Sequence, residues 1–273
     1  MNLANLGFLQ CSAFTLARRA ARVAAVCLAL SGAAAVQAQT YAISDLGGVG
    51  GSFSMALAIN SSGQVAGNGS VAGDAAIHAF VYSDGQVRDL GTLGGAGSYV
   101  ESIDEQGRVF GTSPVAAGSR THRFVFENGT MTDLGPAAGG SGESVPARNA
   151  AGEVVGAAYQ GDSTSLHAFL YQGSMRDLGT LGGPASFGYA VNDGGTVVGS
   201  SNVPGEDSAH AFIYSDGQML DLNQLAQADR AGWVLQSARS INAAGQIVGF
   251  GVHDGHTAAF LLTPVGAAQL AFR

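Results

Sequence analysis

Three strings recur in a fixed order along this chain, and no other feature limits its fold as much. Asp-Leu-Gly occurs at Asp45, Asp89, Asp133 and Asp177, and Asp-Leu-Asn at Asp221, each 44 residues after the last. A second string, apolar-Asn/Asp-x-x-Gly-x-Val-x-Gly, places its first glycine at Gly63, Gly107, Gly152, Gly195 and Gly245. A third, His-Ala-Phe-apolar-Tyr, begins at His78, His167 and His210. His122-Arg123-Phe124 is a variant of it, and Ala258-Ala259-Phe260 is a last copy without the histidine. A fixed period of this length marks a tandem array whose units bury their apolar faces only against one another.

Each unit reads as four short strands. In the first, Met55 to Ile59 leads through Asn60-Ser61-Ser62-Gly63 into Gln64 to Gly67. After a variable loop, His78 to Tyr82 turns at Ser83-Asp84-Gly85 into Gln86 to Leu90. The Asn, Asp and Gly of these turns tolerate the positive φ of tight hairpins, which accounts for the 42 glycines in 273 residues. Four strands per unit predict an all-β fold, a β-propeller of five blades over 54–91, 98–135, 143–179, 186–222 and 233–263 plus 40–47. The ends carry the topology. Tyr41 to Gly47 is only a fourth strand, and Val234 to Leu262 supplies only strands one to three. Together they make one blade and leave no long open edge. A linear β-solenoid is the alternative; it needs capping units and does not explain why the two ends match.

Residues 1–38 read as a secretory leader, with Arg18, Arg19 and Arg22 ahead of an apolar stretch from Val23 to about Ala35 and a Val36-Gln37-Ala38 cleavage site. Both cysteines, Cys11 and Cys27, lie in it, so residues 39–273 can form neither a disulfide nor a thiolate metal site. The remainder has nine Arg, no Lys and twenty acids, a formal charge of −11. That balance repels phosphate backbones and argues against a nucleic-acid partner. The expected state is a monomer with no membrane span after leader removal, secreted or periplasmic, with 264–273 as a tail.

The units His78-Ala79-Phe80 … Asp89-Leu90-Gly91-Thr92-Leu93-Gly94-Gly95 and His167-Ala168-Phe169 … Asp177-Leu178-Gly179-Thr180-Leu181-Gly182-Gly183 resemble the HAF repeat family of bacterial extracellular proteins. So does Gly232-Trp233 … Ile241-Asn242 … Gly245-Gln246-Ile247-Val248-Gly249. The resemblance spans residues 39–273 and implies a secreted bacterial repeat protein, with no catalytic residues to carry over. Some relatives end in a Pro-Glu-Pro sorting tail; here Thr263-Pro264-Val265-Gly266 leads into a short unrelated end.

Residues shared by all units hold up the blade. His78, His122, His167 and His210 start third strands of separate blades, too far apart to share a metal ion, and read as structural hydrogen-bonders. Asp45, Asp89, Asp133, Asp177 and Asp221 read as binders of nearby turn amides. His253 and His256 flank Asp254 in a loop that reads as polar surface, with weak metal binding as the alternative. Gly47-Gly48-Val49-Gly50-Gly51 and its equivalents lead into strands rather than helices, so they are not phosphate loops. No cofactor or metal is expected.

Function is therefore sought where the units differ, on the face made by the fourth-to-first and second-to-third connections. Phe53, Tyr99, Phe187 and Trp233 lie in those connections, and Glu101, Glu143, Arg148, Tyr189 and Arg239 vary on the first strands. Aromatic rings with scattered carboxylates and guanidinium groups suit sugars or peptides. The extra residues of the last unit, Asn223 to Ala231, predict a short helical excursion over the same face. The leading expectation is a non-catalytic binding module for a glycan, peptide or surface component. The alternatives are a lyase or glycosidase using Glu101 and Glu143, a self-associating matrix component, and aromatics that merely fill gaps between blades.

Overall fold

The computed structural model describes residues 39–116, 120–137, 147–159, 165–206 and 208–266. Residues 1–38, on which the expected leader falls, Glu143 and the last seven residues lie outside them. The chain is all-β. It opens with β1 (Thr40–Asp45) and then lays down a first sheet of β2 (Gly50–Ile59), β3 (Val65–Val71), β4 (Ile77–Ser83) and β5 (Gln86–Asp89). The second sheet is β6 (Tyr99–Ile103), β7 (Val109–Pro114), β8 (Thr121–Glu127) and β9 (Thr130–Pro136). The third is β10 (Ala147–Arg148), β11 (Val154–Tyr159), β12 (Leu166–Tyr171) and β13 (Met175–Asp177). The fourth is β14 (Ser186–Val191), β15 (Val197–Asn202), β16 (Ala209–Ser215) and β17 (Gln218–Asp221). The fifth is β18 (Trp233–Ile241), β19 (Ile247–His253) and β20 (His256–Val265), with β1 as its fourth strand. That strand runs antiparallel to β20 from Thr40 opposite Val265 to Asp45 opposite Phe260. The two ends of the described chain thus share one sheet.

Turn chemistry sets these meanders. Asp84-Gly85, Asn128-Gly129, Asp216-Gly217 and Asp254-Gly255 all hold positive φ at both positions, the geometry that matches a two-residue hairpin to the twist of its strands. The glycine of Val-x-Gly and the phenylalanine of His-Ala-Phe are cross-strand partners: Gly67 with Phe80, Gly111 with Phe124, Gly156 with Phe169, Gly199 with Phe212, Gly249 with Phe260. The rings of Phe80, Phe124, Phe212 and Phe260 are fully buried, lying over positions that carry no side chain. Two of the three recurring strings are therefore halves of one packing unit.

Sheets stack through a repeated contact. The first strand of a sheet packs on the first three strands of the sheet before it: β6 on β2 to β4, β14 on β10 to β12, β18 on β14 to β16, and β2 on β18 to β20. The order is third, fourth, fifth, first, second. A relay of side-chain amides follows it. Asn149 Nδ2 donates to the carbonyl of Asn192 (2.9 Å), Asn192 to Asn242 (3.4 Å), Asn242 to Asn60 (3.1 Å) and Asn60 to Asp104 (3.0 Å). Asp104, the fifth member, has no amide to donate, and its carboxylate instead accepts from Arg108 Nε at 2.7 Å.

The last unit's extra length forms α1 (Leu222–Leu225) and a 3-10 turn at Ala228–Ala231. Asp221 caps α1, its carboxylate accepting the amide of Asn223. The Asp-Leu-Asn variant follows from this: a helix starts where the other repeats turn at a left-handed glycine. Among the described residues no helix is long and apolar enough to cross a membrane.

Candidate functional site

The recurring Asp and His form one device. The aspartate Oδ1 accepts the backbone N–H two residues on: Asp45 from Gly47 (2.7 Å), Asp89 from Gly91 (2.8 Å), Asp133 from Gly135 (2.7 Å), Asp177 from Gly179 (2.8 Å) and Asp221 from Asn223 (2.8 Å). The carboxylate also pairs with a histidine Nδ1: His78 with Asp89 (2.9 Å), His122 with Asp133 (2.8 Å), His167 with Asp177 (3.1 Å) and His210 with Asp221 (2.8 Å). Each pair ties the start of a third strand to the end of a fourth.

The fifth sheet has Ala258 where the histidine stands elsewhere, yet Asp45 keeps an imidazole partner. His253, at the end of β19, reaches it at 3.0 Å. Ala258 lies opposite Gly251, and this pair without bulk leaves the face clear. His253 is therefore a structural partner rather than a free surface loop residue, and it sits opposite His256 across a two-residue hairpin. Among the described residues no group of three or more His, Cys, Asp or Glu could hold a metal ion.

The varied residues of the first strands share a conformational cause. Register slips by one residue between Ala56 and Ala58, Val100 and Ser102, Gly188 and Ala190, and Ala238 and Ser240. The extra residues are Leu57, Glu101, Tyr189 and Arg239, at equivalent repeat positions; the third repeat's equivalent, 146, lies outside the described residues. A bulge re-aims its side chain and is common beside binding sites. Bulge residues of adjacent sheets reach each other: the Arg239 guanidinium lies 4.1 Å from the Tyr189 ring centre, a cation–π contact. Tyr189 is held in turn by Ser200, whose hydroxyl donates to the phenol oxygen at 3.1 Å. Leu57 escaped the sequence reading because only its register exposes it as a bulge.

The other sequence candidates scatter. Tyr99 is 45% exposed at the start of β6, while Phe53 and Phe187 are half-buried. Arg148 is exposed at the end of β10. Trp233 differs most from its expected place on an open face. It is 4% exposed, stacked on His253 at 4.3 Å and edge-on to Phe260 at 6.2 Å. Its core neighbours include Leu222 and Leu235, so it serves as packing and as one wall of a cleft.

That cleft, about 540 Å³, opens between the fourth and fifth sheets and is lined by residues of fourth-to-first and second-to-third connections. Leu181, Pro204 and Trp233 form apolar parts of the wall, and Glu206, His210 and Asp229 polar parts. His210 lies between two carboxylates, Asp221 at Nδ1 (2.8 Å) and Glu206 at Nε2 (3.0 Å). Only the imidazolium can donate through both nitrogens. Burial alone would lower its pKa; the hydrogen bonds and charges of Asp221 and Glu206 outweigh that and raise it. The stability it contributes is then full below the unfolded value near 6.5 and is lost as pH rises through the raised folded value. Urea midpoints measured from pH 6 to 9 are expected to fall across that window in the parent and to lose this slope in His210→Gln. An unchanged slope in the variant would contradict the assignment.

No family model matches the sequence, and no curated protein matches it. Solved structures similar to this one include the β-propeller domain of the Trilobed protease from Pyrococcus furiosus, 9% identical, covering 77% of this chain and 68% of that one, with a TM-score of 0.30. A gluconolactonase from Xanthomonas campestris is 12% identical, covering 85% and 93%, with a TM-score of 0.33. TolB from Acinetobacter baumannii is 13% identical, covering 77% and 54%, with a TM-score of 0.29. Such scores decide neither the number of blades nor the function.

Proposed function

We propose that the five sheets close into a five-bladed ring and that this ring is a secreted, non-catalytic binding module. The bulges carry the reading. Positions common to every repeat are spent on hairpin turns, His–Asp ties and Phe-over-Gly packing, whereas the bulge position holds leucine, glutamate, tyrosine and arginine in turn. A repeat kept only for its scaffold has no use for such variety at one bulged position on four first strands. Closure brings these side chains toward a common axis, where an aromatic face with one acid and one guanidinium suits a saccharide or a peptide. A linear solenoid accounts for neither the sheet shared by the two ends nor the amide relay.

A screen of glycans, peptidoglycan fragments and peptides tests it. Binding of a hit is expected to weaken at least tenfold in Tyr189→Ala and in Arg239→Ala, with little change in unfolding temperature. Trp233→Ala, by contrast, is expected to lower that temperature, because its ring is core. Failure to bind any member of the screen, or binding indifferent to Tyr189 and Arg239, would count against the reading.

A further inference from the structure

One junction between sheets is built differently from the rest. In the four described junctions, the alanine of His-Ala-Phe or its last copy shares an apolar cluster with the aliphatic residue just before the next sheet's turn Asn or Asp. The pairs are Ala79 with Ile103, Ala168 with Val191, Ala211 with Ile241 and Ala259 with Ile59. All four alanines are 0% exposed, and Ile59, Val191 and Ile241 are each 8% exposed. At the junction of the second and third sheets the same two positions are Arg123 and Arg148.

Both arginines are exposed. Among the described residues neither has a carboxylate partner, whereas nearby Arg108 is held by Asp104. Closing this junction as a dry contact would bury two like charges with nothing to offset their lost hydration. The same junction lacks the amide relay, because Asp104 has nothing to donate. Three departures from the repeat therefore fall on one seam. Random drift on a repeat surface would scatter them over all five.

We propose that the seam between the second and third sheets is a second binding site, in which Arg123 and Arg148 together grip an oxyanion, carboxylate or sulfate. The site rests on the ring reading, which alone sets these sheets side by side. Guanidinium forks match the planar carboxylate and the sulfate face bidentately. An oxyanion between them supplies the negative charge that no described carboxylate does. With twenty acids against twelve arginines, the molecule's overall field repels anions, so binding depends on this local pair and not on general attraction.

Calorimetric titration of the full chain with inorganic sulfate and with a short polygalacturonate oligomer tests the site. Saturable binding of at least one probe is expected, at least tenfold weaker in Arg123→Ala and in Arg148→Ile. The double variant carries the residues that the other junctions use, so it keeps its fold, checked by circular dichroism, while losing the anion. Binding of both probes identifies a general oxyanion site, and binding of the oligomer alone identifies a saccharide carboxylate. No binding of either probe, or less than a tenfold loss in the double variant, overturns the proposal. A cross-link joining the second and third sheets with no anion binding would leave the ring standing and remove the site.

Discussion

A chain shortened by residues 39–46 is expected to lose most of its stability, its unfolding temperature falling by ten degrees or more by circular dichroism. Those residues are the fourth strand of a sheet whose other three lie at the far end of the chain. Without them β20 presents an open edge in place of six paired residues, the liability that a shared last sheet removes. Tyr41 and Leu46, 7% and 4% exposed, go with the strand. Burying side chains of this size contributes about 1.5–3 kcal/mol each. His253 also loses Asp45. The sum is a large part of the ~5–15 kcal/mol that holds a domain together. A truncated protein melting within about two degrees of the intact one would show that β1 is an ornament.

The second large effect is expected from a single methyl group. At Gly249 an added Cβ would overlap the carbonyl oxygen of Ser237 and stand 2.8 Å from Phe260 Cζ. Backbone on one side and a fully buried ring on the other leave nothing flexible to yield. Gly249→Ala is therefore expected to cost about 3 kcal/mol or more in urea unfolding, at the upper end of overpacking penalties. The equivalent Gly156 is different: its nearest neighbours are Phe169 ring atoms at 3.0 and 3.2 Å, and that ring is only half-buried. Gly156→Ala is expected to cost about 1 kcal/mol or less. Equal costs at the two sites would show that the glycine is kept for the flexibility of the strand and not for the ring above it.

These two results mark what the sequence makes visible. Period, strand number per unit, hairpin turns and the sheet shared between the ends all follow from recurrence, because each repeat states its local structure five times over. The excursion after Asp221 was visible as added length. What recurrence hides is contact across sheets. His253 could not be recognised as the missing repeat histidine, since it comes from a different strand and lies 208 residues from Asp45. Trp233 reads from sequence as a ring on the channel face because it departs from the repeat, and only its burial between His253 and Phe260 shows it to be core. Glu101, Tyr189 and Arg239 stand out in sequence because they vary, whereas Leu57 does not, and the bulge all four share depends on register, which a string of residues does not display. That Arg123 and Arg148 hold paired positions follows from which residues meet at the other four junctions, and recurrence alone does not display that pairing.

The proposed ring closes between the second and third sheets. Turn residues of neighbouring repeats touch at two described junctions: Ser61 Oγ donates to Glu105 Oε1 at 3.1 Å, and the Ala150 amide to Asp193 Oδ1 at 2.9 Å. Repeat equivalence then sets Glu105 beside Ala150. With Cys11 and Cys27 replaced by serine, a short bismaleimide should join Glu105→Cys to Ala150→Cys within one chain as fully as it joins the control pair Ser61→Cys and Glu105→Cys. Efficient coupling of the control with none between 105 and 150 would contradict the closed ring.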